Sequence, residues 1–308
     1  MTETTLSKQH LAPLAVMAFG IFALSIMDAL VKIASADMQT WQIVVLRYGF
    51  GAISALAYYL YQNRQATIVA GSRPLLSRQT LKTSLLRAIF VVLTAGCFFF
   101  ALGNLPLAQA VTIVFSAPLF MVLFSRILLG EPISSTALLA IGLGFSGVLV
   151  IFGGEIFQPL SGTLLPMLSA LMASIFYSLA IVLSRKHSAH TKPEEMVLLQ
   201  TVFALLFALP LGLLPFAQTS WTTPDAGGWL LFCAIGILGT FGHVLMIWAL
   251  ARETASRLAP IEYTNLIWAV LLGAFLFSEW PDWRTLIGAV LVVLGCVLAG
   301  RSKPLIST

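Results

Sequence analysis

Asp28 and Lys32 stand four residues apart inside an otherwise apolar run, so on a helix they share one face. Arg47 lies inside the next apolar run. If both runs cross a membrane, Asp28 lies about six residues, roughly 9 Å, from the outer end of the first, and Arg47 lies at a similar depth in the second. Three ionisable groups at one level of a bilayer are costly unless they are paired or face water. Two readings stay open. In one, the cluster binds or gates, with Arg47 and Lys32 meeting an anionic group of a solute. In the other, Asp28 and Arg47 form a structural pair that locks two helices. A buried pair adds little net stability over apolar packing, which favours the first reading.

Glu262 is the second intramembrane acid. It sits about one and a half turns into the ninth apolar run, just after Pro260, with Asn265 and Ala269 following on its face. His243 lies at a comparable inner depth on the eighth run, with Gly239 and Gly236 on its own face. An acid and an imidazole at one depth can carry a proton or recognise a solute amine. A hydrogen bond across a helix interface is the plainer reading of His243. Trp248, Tyr263 and Trp268 are the aromatic candidates for a solute cavity, with Phe100 and Tyr177 behind them. Trp41, Trp221, Trp229 and Trp283 fall at the ends of apolar runs and read as an interfacial belt. All these candidates bind rather than catalyse. The spacing points to no metal and no cofactor, leaving proton coupling as the one added chemistry.

The elements that must position these groups follow from composition. Of 308 residues, 59% are hydrophobic and 9% are charged, against about 25% charged in soluble domains. So few charges cannot cover a water-facing surface, and most of the surface must meet lipid. The expected spans are 12–34, 41–61, 83–103, 106–129, 134–153, 162–184, 195–216, 228–250, 257–278 and 283–300. They are too long and too uniformly apolar for barrel strands, so an all-α membrane protein of ten helices is expected. The first run, from Leu11 to Ala34, is too long for a signal peptide and reads as the first span. Pro118 and Pro260 fall inside the fourth and ninth spans and predict kinks. Cys97, Cys233 and Cys296 all sit in apolar runs and read as small apolar residues.

Lys and Arg orient the chain. Arg64, Arg73, Arg78 and Lys82 fill one loop, Arg185, Lys186 and Lys192 another, and Arg252 and Arg257 border a third. Arg301 and Lys303 follow the last span, whereas the alternate loops hold Asp37, Glu155 and Asp225 without Lys or Arg. Both termini are therefore expected in the cytoplasm, with the net charge of +5 serving topology and not nucleic-acid binding. An internal repeat is visible at an offset of 148: Gly130-Glu131 falls on Ser278-Glu279, Gly147 on Gly295, and Phe100-Ala101-Leu102 on Trp248-Ala249-Leu250. The halves, 1–157 and 158–308, would hold five spans each, and an odd number inverts the second copy. GLGFSG at 142–147 matches a nucleotide-binding pattern, but no strand precedes it, and small-residue helix packing explains it. Glu131 and Glu279 read as end-cap or interface groups.

The stretches LGNLPLAQAVTIVFSAPLFMVLFSRILLGEPISSTALLAIGLGFSGVLVI and ASRLAPIEYTNLIWAVLLGAFLFSEWPDWRTLIGAVLVVLGCVLA resemble the paired EamA domains of the drug/metabolite transporter superfamily. DALVK in the first span and Arg47 in the second are similar to one branch of it. The resemblance implies ten helices around a central cavity and carriage of a small metabolite in the cell inner membrane. It fixes neither substrate nor direction. Charges of both signs at two depths favour a zwitterion such as an amino acid or its derivative, with export slightly preferred. The alternative is uptake of a vitamin, nucleoside-like or S-adenosylmethionine-like solute. A receptor or assembly protein is a remote third reading. No catalytic or Walker motif occurs, which excludes an enzyme and ATP-driven transport in cis. The expected partners are the solute and lipid, for a monomer or homodimer.

Overall fold

The computed structural model describes residues 3–66, 78–130, 135–156, 162–185, 193–213, 221–250, 252 and 261–301. Glu131, Pro260 and the loop cations Arg73, Lys186, Lys192, Arg257 and Lys303 lie outside the described residues. Those that are described form helices and short connections, with no strand among them. The helices are α1 (Glu3–Ala34), α2 (Thr40–Ala66), α3 (Arg78–Asn104), α4 (Leu107–Val114), α5 (Ala117–Leu129) and α6 (Ser135–Ile156). They continue with α7 (Leu164–Arg185), α8 (Pro193–Leu213), α9 (Ala226–Leu250), α10 (Thr264–Phe277) and α11 (Trp283–Arg301).

Seven apolar segments are long enough to cross a membrane, from Ala12–Ala34 in α1 to Ala226–Ala249 in α9, with α4 and α5 counting as one. The apolar parts of the others, Leu138–Gly153, Thr264–Phe277 and Trp283–Leu298, are shorter than the expected spans. Phe275, Leu230, Ile127 and Leu139 point outward and are exposed, as lipid-facing side chains must be. Met17, Ile43, Leu102, Ile113, Met167 and Phe232 are fully buried between the helices.

The expected fourth span is two helices, and Pro118 is the reason. It sits near the start of α5 without an amide hydrogen, and its ring excludes the carbonyl four residues back, at Val114. Helix α4 ends at that residue. The Phe115 carbonyl, freed by the break, accepts the Cys296 thiol hydrogen from α11 (3.3 Å). The helical path into α10 is also interrupted, at Tyr263. Phe115 and Tyr263 are 148 residues apart, and their rings meet at 5.9 Å.

Other positions at this offset match in backbone conformation. Gly130 ends α5 and Ser278 ends α10, both left-handed, with φ of 71° and 56°. Packing partners match too. Helix α1 lies on α9 as α7 lies on α3, and α2 lies on α9 as α8 lies on α3. Helices α6 and α11 pack on each other, as do α2 and α8. In the α6–α11 seam a Cβ on Gly147 would meet the Gly288 carbonyl at 2.7 Å, and one on Gly295 would meet the Ala140 carbonyl at 2.8 Å. Ala140 and Gly288 are again 148 apart. Backbones this close leave no room for a side chain.

Gly295→Leu should therefore lower the thermal midpoint of the detergent-solubilised protein, at a cost of about 1–3 kcal/mol from overpacking. Gly142→Ala, where a Cβ meets nothing within 4 Å, should unfold with the wild-type midpoint in the same calorimetric scan.

Candidate substrate site

Helices α2, α8 and α9 enclose a small cavity lined by Arg47, Tyr48, Gln200, Thr201, Thr240 and His243. Its volume is about 10 Å³, room for about one water. A metabolite enters only after these helices part. The hydroxyls here are already committed: Thr240 donates to the Gly51 carbonyl (3.0 Å), and Thr201 donates to the Val197 carbonyl of its own helix. The imidazole Nδ1 of His243 meets the Gly239 carbonyl at 2.6 Å. A carbonyl only accepts, so Nδ1 carries the hydrogen, and Nε2 of the neutral ring is an acceptor.

Arg47 is 8% exposed. Its guanidinium lies over the Tyr48 ring (4.4 Å) and near the Phe99 ring (5.8 Å). The facing helix has glycine at 239, where a Cβ would come within 3.4 Å of the guanidinium and 2.8 Å of the Met27 sulfur. Asp28, 6% exposed, lies within the electrostatic reach of Arg47. Neither forms an ion pair with a described residue. The Nε of Arg47 is buried and has no hydrogen-bond partner among the described residues. A buried donor left unmade costs about 1–3 kcal/mol.

Lys32 lies elsewhere, at the end of α1. Its ammonium pairs with Glu279 (2.8 Å), donates to the Leu105 carbonyl (2.5 Å) and faces the Phe277 ring (5.3 Å). The other carboxylate oxygen of Glu279 accepts the Leu107 amide hydrogen (3.0 Å). The left-handed turn at Ser278 brings that carboxylate inward, with the Glu279 amide returning to the Gly273 carbonyl. One ion pair thus joins α1, the α3–α4 connection and the end of α10.

The remaining candidates divide by place. Glu262 lies within electrostatic reach of Tyr177, Tyr263 and Cys296, whereas the charged neighbours that act most on His243 are Arg47 and Arg87. Asn265 accepts the Ser25 hydroxyl across α1 and α10 (2.5 Å). Trp268 packs on Phe22 (4.5 Å), and Trp248 covers the Arg252 guanidinium (3.9 Å). Neither tryptophan lines the Arg47 cavity. Sequence reasoning passed over Arg87, on α3, which donates to the Gln200 side chain. A cation three residues inside the apolar stretch Ser84–Asn104 was the available signal.

The profile of the EamA-like transporter family matches residues 11–153 and again 164–301. This chain belongs to that family. It is a multi-pass membrane transporter of small metabolites, and not an enzyme. Among its relatives is the pseudopaline exporter CntI of Pseudomonas aeruginosa, 32% identical over 285 residues, covering 92% of this chain and 93% of the relative. The S-adenosylmethionine uptake transporter of Rickettsia conorii is 22% identical over 293 residues, covering 93% and 91%. A crystal structure matches with a TM-score of 0.63 at 21% identity, covering 94% of this chain and 96% of that one, a likeness of fold. The two family matches divide at the junction of α6 and α7, so the Arg47 cavity combines α2 of one EamA unit with α8 and α9 of the other.

Glu279→Ala should lower the thermal midpoint, at a cost of about 1–3 kcal/mol, because it strands a part-buried ammonium and a backbone amide. Glu279→Gln should recover part of that loss, since its amide oxygen still accepts from Leu107. Differential scanning fluorimetry of the three proteins checks the order.

Proposed function

We propose that this chain is a secondary carrier that exports an amino acid or amino-acid derivative across the cytoplasmic membrane by alternating access. The observation that carries the reading is the open, buried edge of Arg47 beside the His243 imidazole, in a cavity shared by the two family units. A carboxylate fits the guanidinium edge in a bidentate pair. An ammonium fits the Nε2 acceptor of His243. Together they suit the two ends of an amino acid.

The ten apolar helices, three of them shorter than a full span, act as ten crossings in two inverted repeats, with both termini cytoplasmic. Support comes from the residue matches at an offset of 148 and from the helix pairings that exchange between halves. In this arrangement the Lys32–Glu279 pair lies at the outer face and holds it closed. Export is favoured by the exporter that is 32% identical along most of both chains. The driving force is proton movement through Glu262 or exchange of one solute for another. The working unit is a monomer or a homodimer surrounded by lipid. Uptake of an S-adenosylmethionine-like solute draws on the Rickettsia relatives. It has less local support, because Trp248 and Trp268 are engaged away from the cavity.

In proteoliposomes, labelled amino acids and derivatives should undergo counterflow. Arg47→Ala should reduce it about tenfold or more, the worth of one charge-assisted contact. Flux unchanged by Arg47→Ala overturns the site assignment. If Asp28→Ala combined with Arg47→Ala regains activity, the two residues are a structural pair. Glu262→Gln should abolish solute-dependent proton movement, read with a trapped pH dye, while leaving the folded protein in the membrane. Full retained proton flux assigns the coupling to another group, and no solute-dependent proton movement in the wild type leaves exchange as the driving mode.

A further inference from the structure

Two guanidinium Nε groups, on Arg47 and Arg87, are the buried side-chain donors without a partner among the described residues. Arg87 sits on α3 and is not itself in the cavity lining. Its terminal nitrogen donates to the Gln200 Oε1, and Gln200 lines the cavity wall. Both arginines act electrostatically on His243, so their charges converge on the same interior. Neither is in an ion pair with a described carboxylate. A cation placed inside a membrane bundle with an unmet donor is expensive as structural glue alone, because apolar packing would serve that role better. Snorkelling does not explain Arg87 either, since its Nε is buried and its head points at Gln200.

We propose that Arg87 forms a second anion subsite and that the solute carries at least two carboxylates, one for Arg47 and one for Arg87. The inference rests on the carrier reading above only for the solute's passage; its binding part stands on the two arginines. Each guanidinium edge, Nε with one terminal nitrogen, offers two parallel donors to one carboxylate. At Arg87 a terminal nitrogen already donates to Gln200, so the open donor is Nε, and each of the two unmet Nε groups calls for an acceptor of its own. Gln200 completes the second subsite. With its Oε1 turned to Arg87, its NH2 group is left to donate to the same anion. The amine of the solute lies between the two ends, at the Nε2 of His243. The chemical class is an amino dicarboxylate, longer than a simple amino acid and carrying net negative charge before it meets the arginines.

The test uses the purified chain in nanodiscs and titration calorimetry. The probes are aminoadipate, aminopimelate and aminosuberate, each against the monocarboxylic amino acid of equal chain length. The best dicarboxylate should bind about 10- to 100-fold more tightly than its monocarboxylate partner, the worth of one charged contact. Arg87→Gln should cancel that preference, bringing the dicarboxylate to within about twofold of its monocarboxylate partner. Arg87→Lys, which keeps the charge, should retain part of it, and Gln200→Leu should weaken it. Equal affinities in the wild type, no binding by any probe, or a preference that survives Arg87→Gln would each overturn the subsite. Counterflow of amino acids in proteoliposomes separates the two claims. Flux without a dicarboxylate preference sinks the subsite and keeps the carrier. A preference cancelled by Arg87→Gln without flux of any solute keeps the subsite and sinks the carrier.

Discussion

Lipid offers no hydrogen bonds, so every polar group placed among these helices must find its partner inside the protein. The structure obeys this rule almost everywhere. Thr112 and Thr201 hand their hydroxyl hydrogens to carbonyls of their own helices. Gln42 reaches the Thr222 carbonyl, and the Cys296 thiol meets the carbonyl left bare at Phe115. Lys32 satisfies its ammonium on Glu279 and Leu105. Against this background the unmet donors of Arg47 and Arg87 stand apart. Both belong to the interior shared by α2, α3, α8 and α9.

The same constraint shapes the broken helices. Pro118 removes one donor, the helix ends at Val114, and the Phe115 carbonyl in the break is met from α11. The second interruption, at Tyr263, packs directly against the first. Two weak points of the helical scaffold therefore meet, on segments drawn from different family units. The α6–α11 and α1–α9 seams are tight enough for a Cβ to clash with backbone. The cavity wall, by contrast, holds almost no space in this conformation.

The offset of 148 was legible in the chain because it repeats glycine and glutamate, whose backbone and interface roles do not interchange with those of leucine. Gly130 and Ser278 take the same left-handed turn, so the match reflects backbone geometry and not only composition. Arg47 and His243 were legible because polar groups in apolar runs carry their own warning. Their common cavity was not, since they lie on helices about two hundred residues apart in sequence. Arg87 was missed because a cation near a span end looks like a topology signal. The Lys32–Glu279 pair was missed because sequence spacing sets Lys32 beside Asp28, four residues away on one helix, while Glu279 is brought to it by a turn at Ser278.

By itself the sequence determined the solvent of this protein, its helical class and its repeated plan. These follow from local quantities: hydropathy along the chain, the helical period, and residue types recurring at a fixed offset. Only the tertiary structure decided which charges meet. Coulombic and hydrogen-bond energies depend on distances of a few ångströms, and such distances between α1 and α10, or between α3 and α8, are set by how helices pack. That packing gave Lys32 to Glu279 and Asn265 to Ser25, and left Arg47 and Arg87 each with one buried edge unmet.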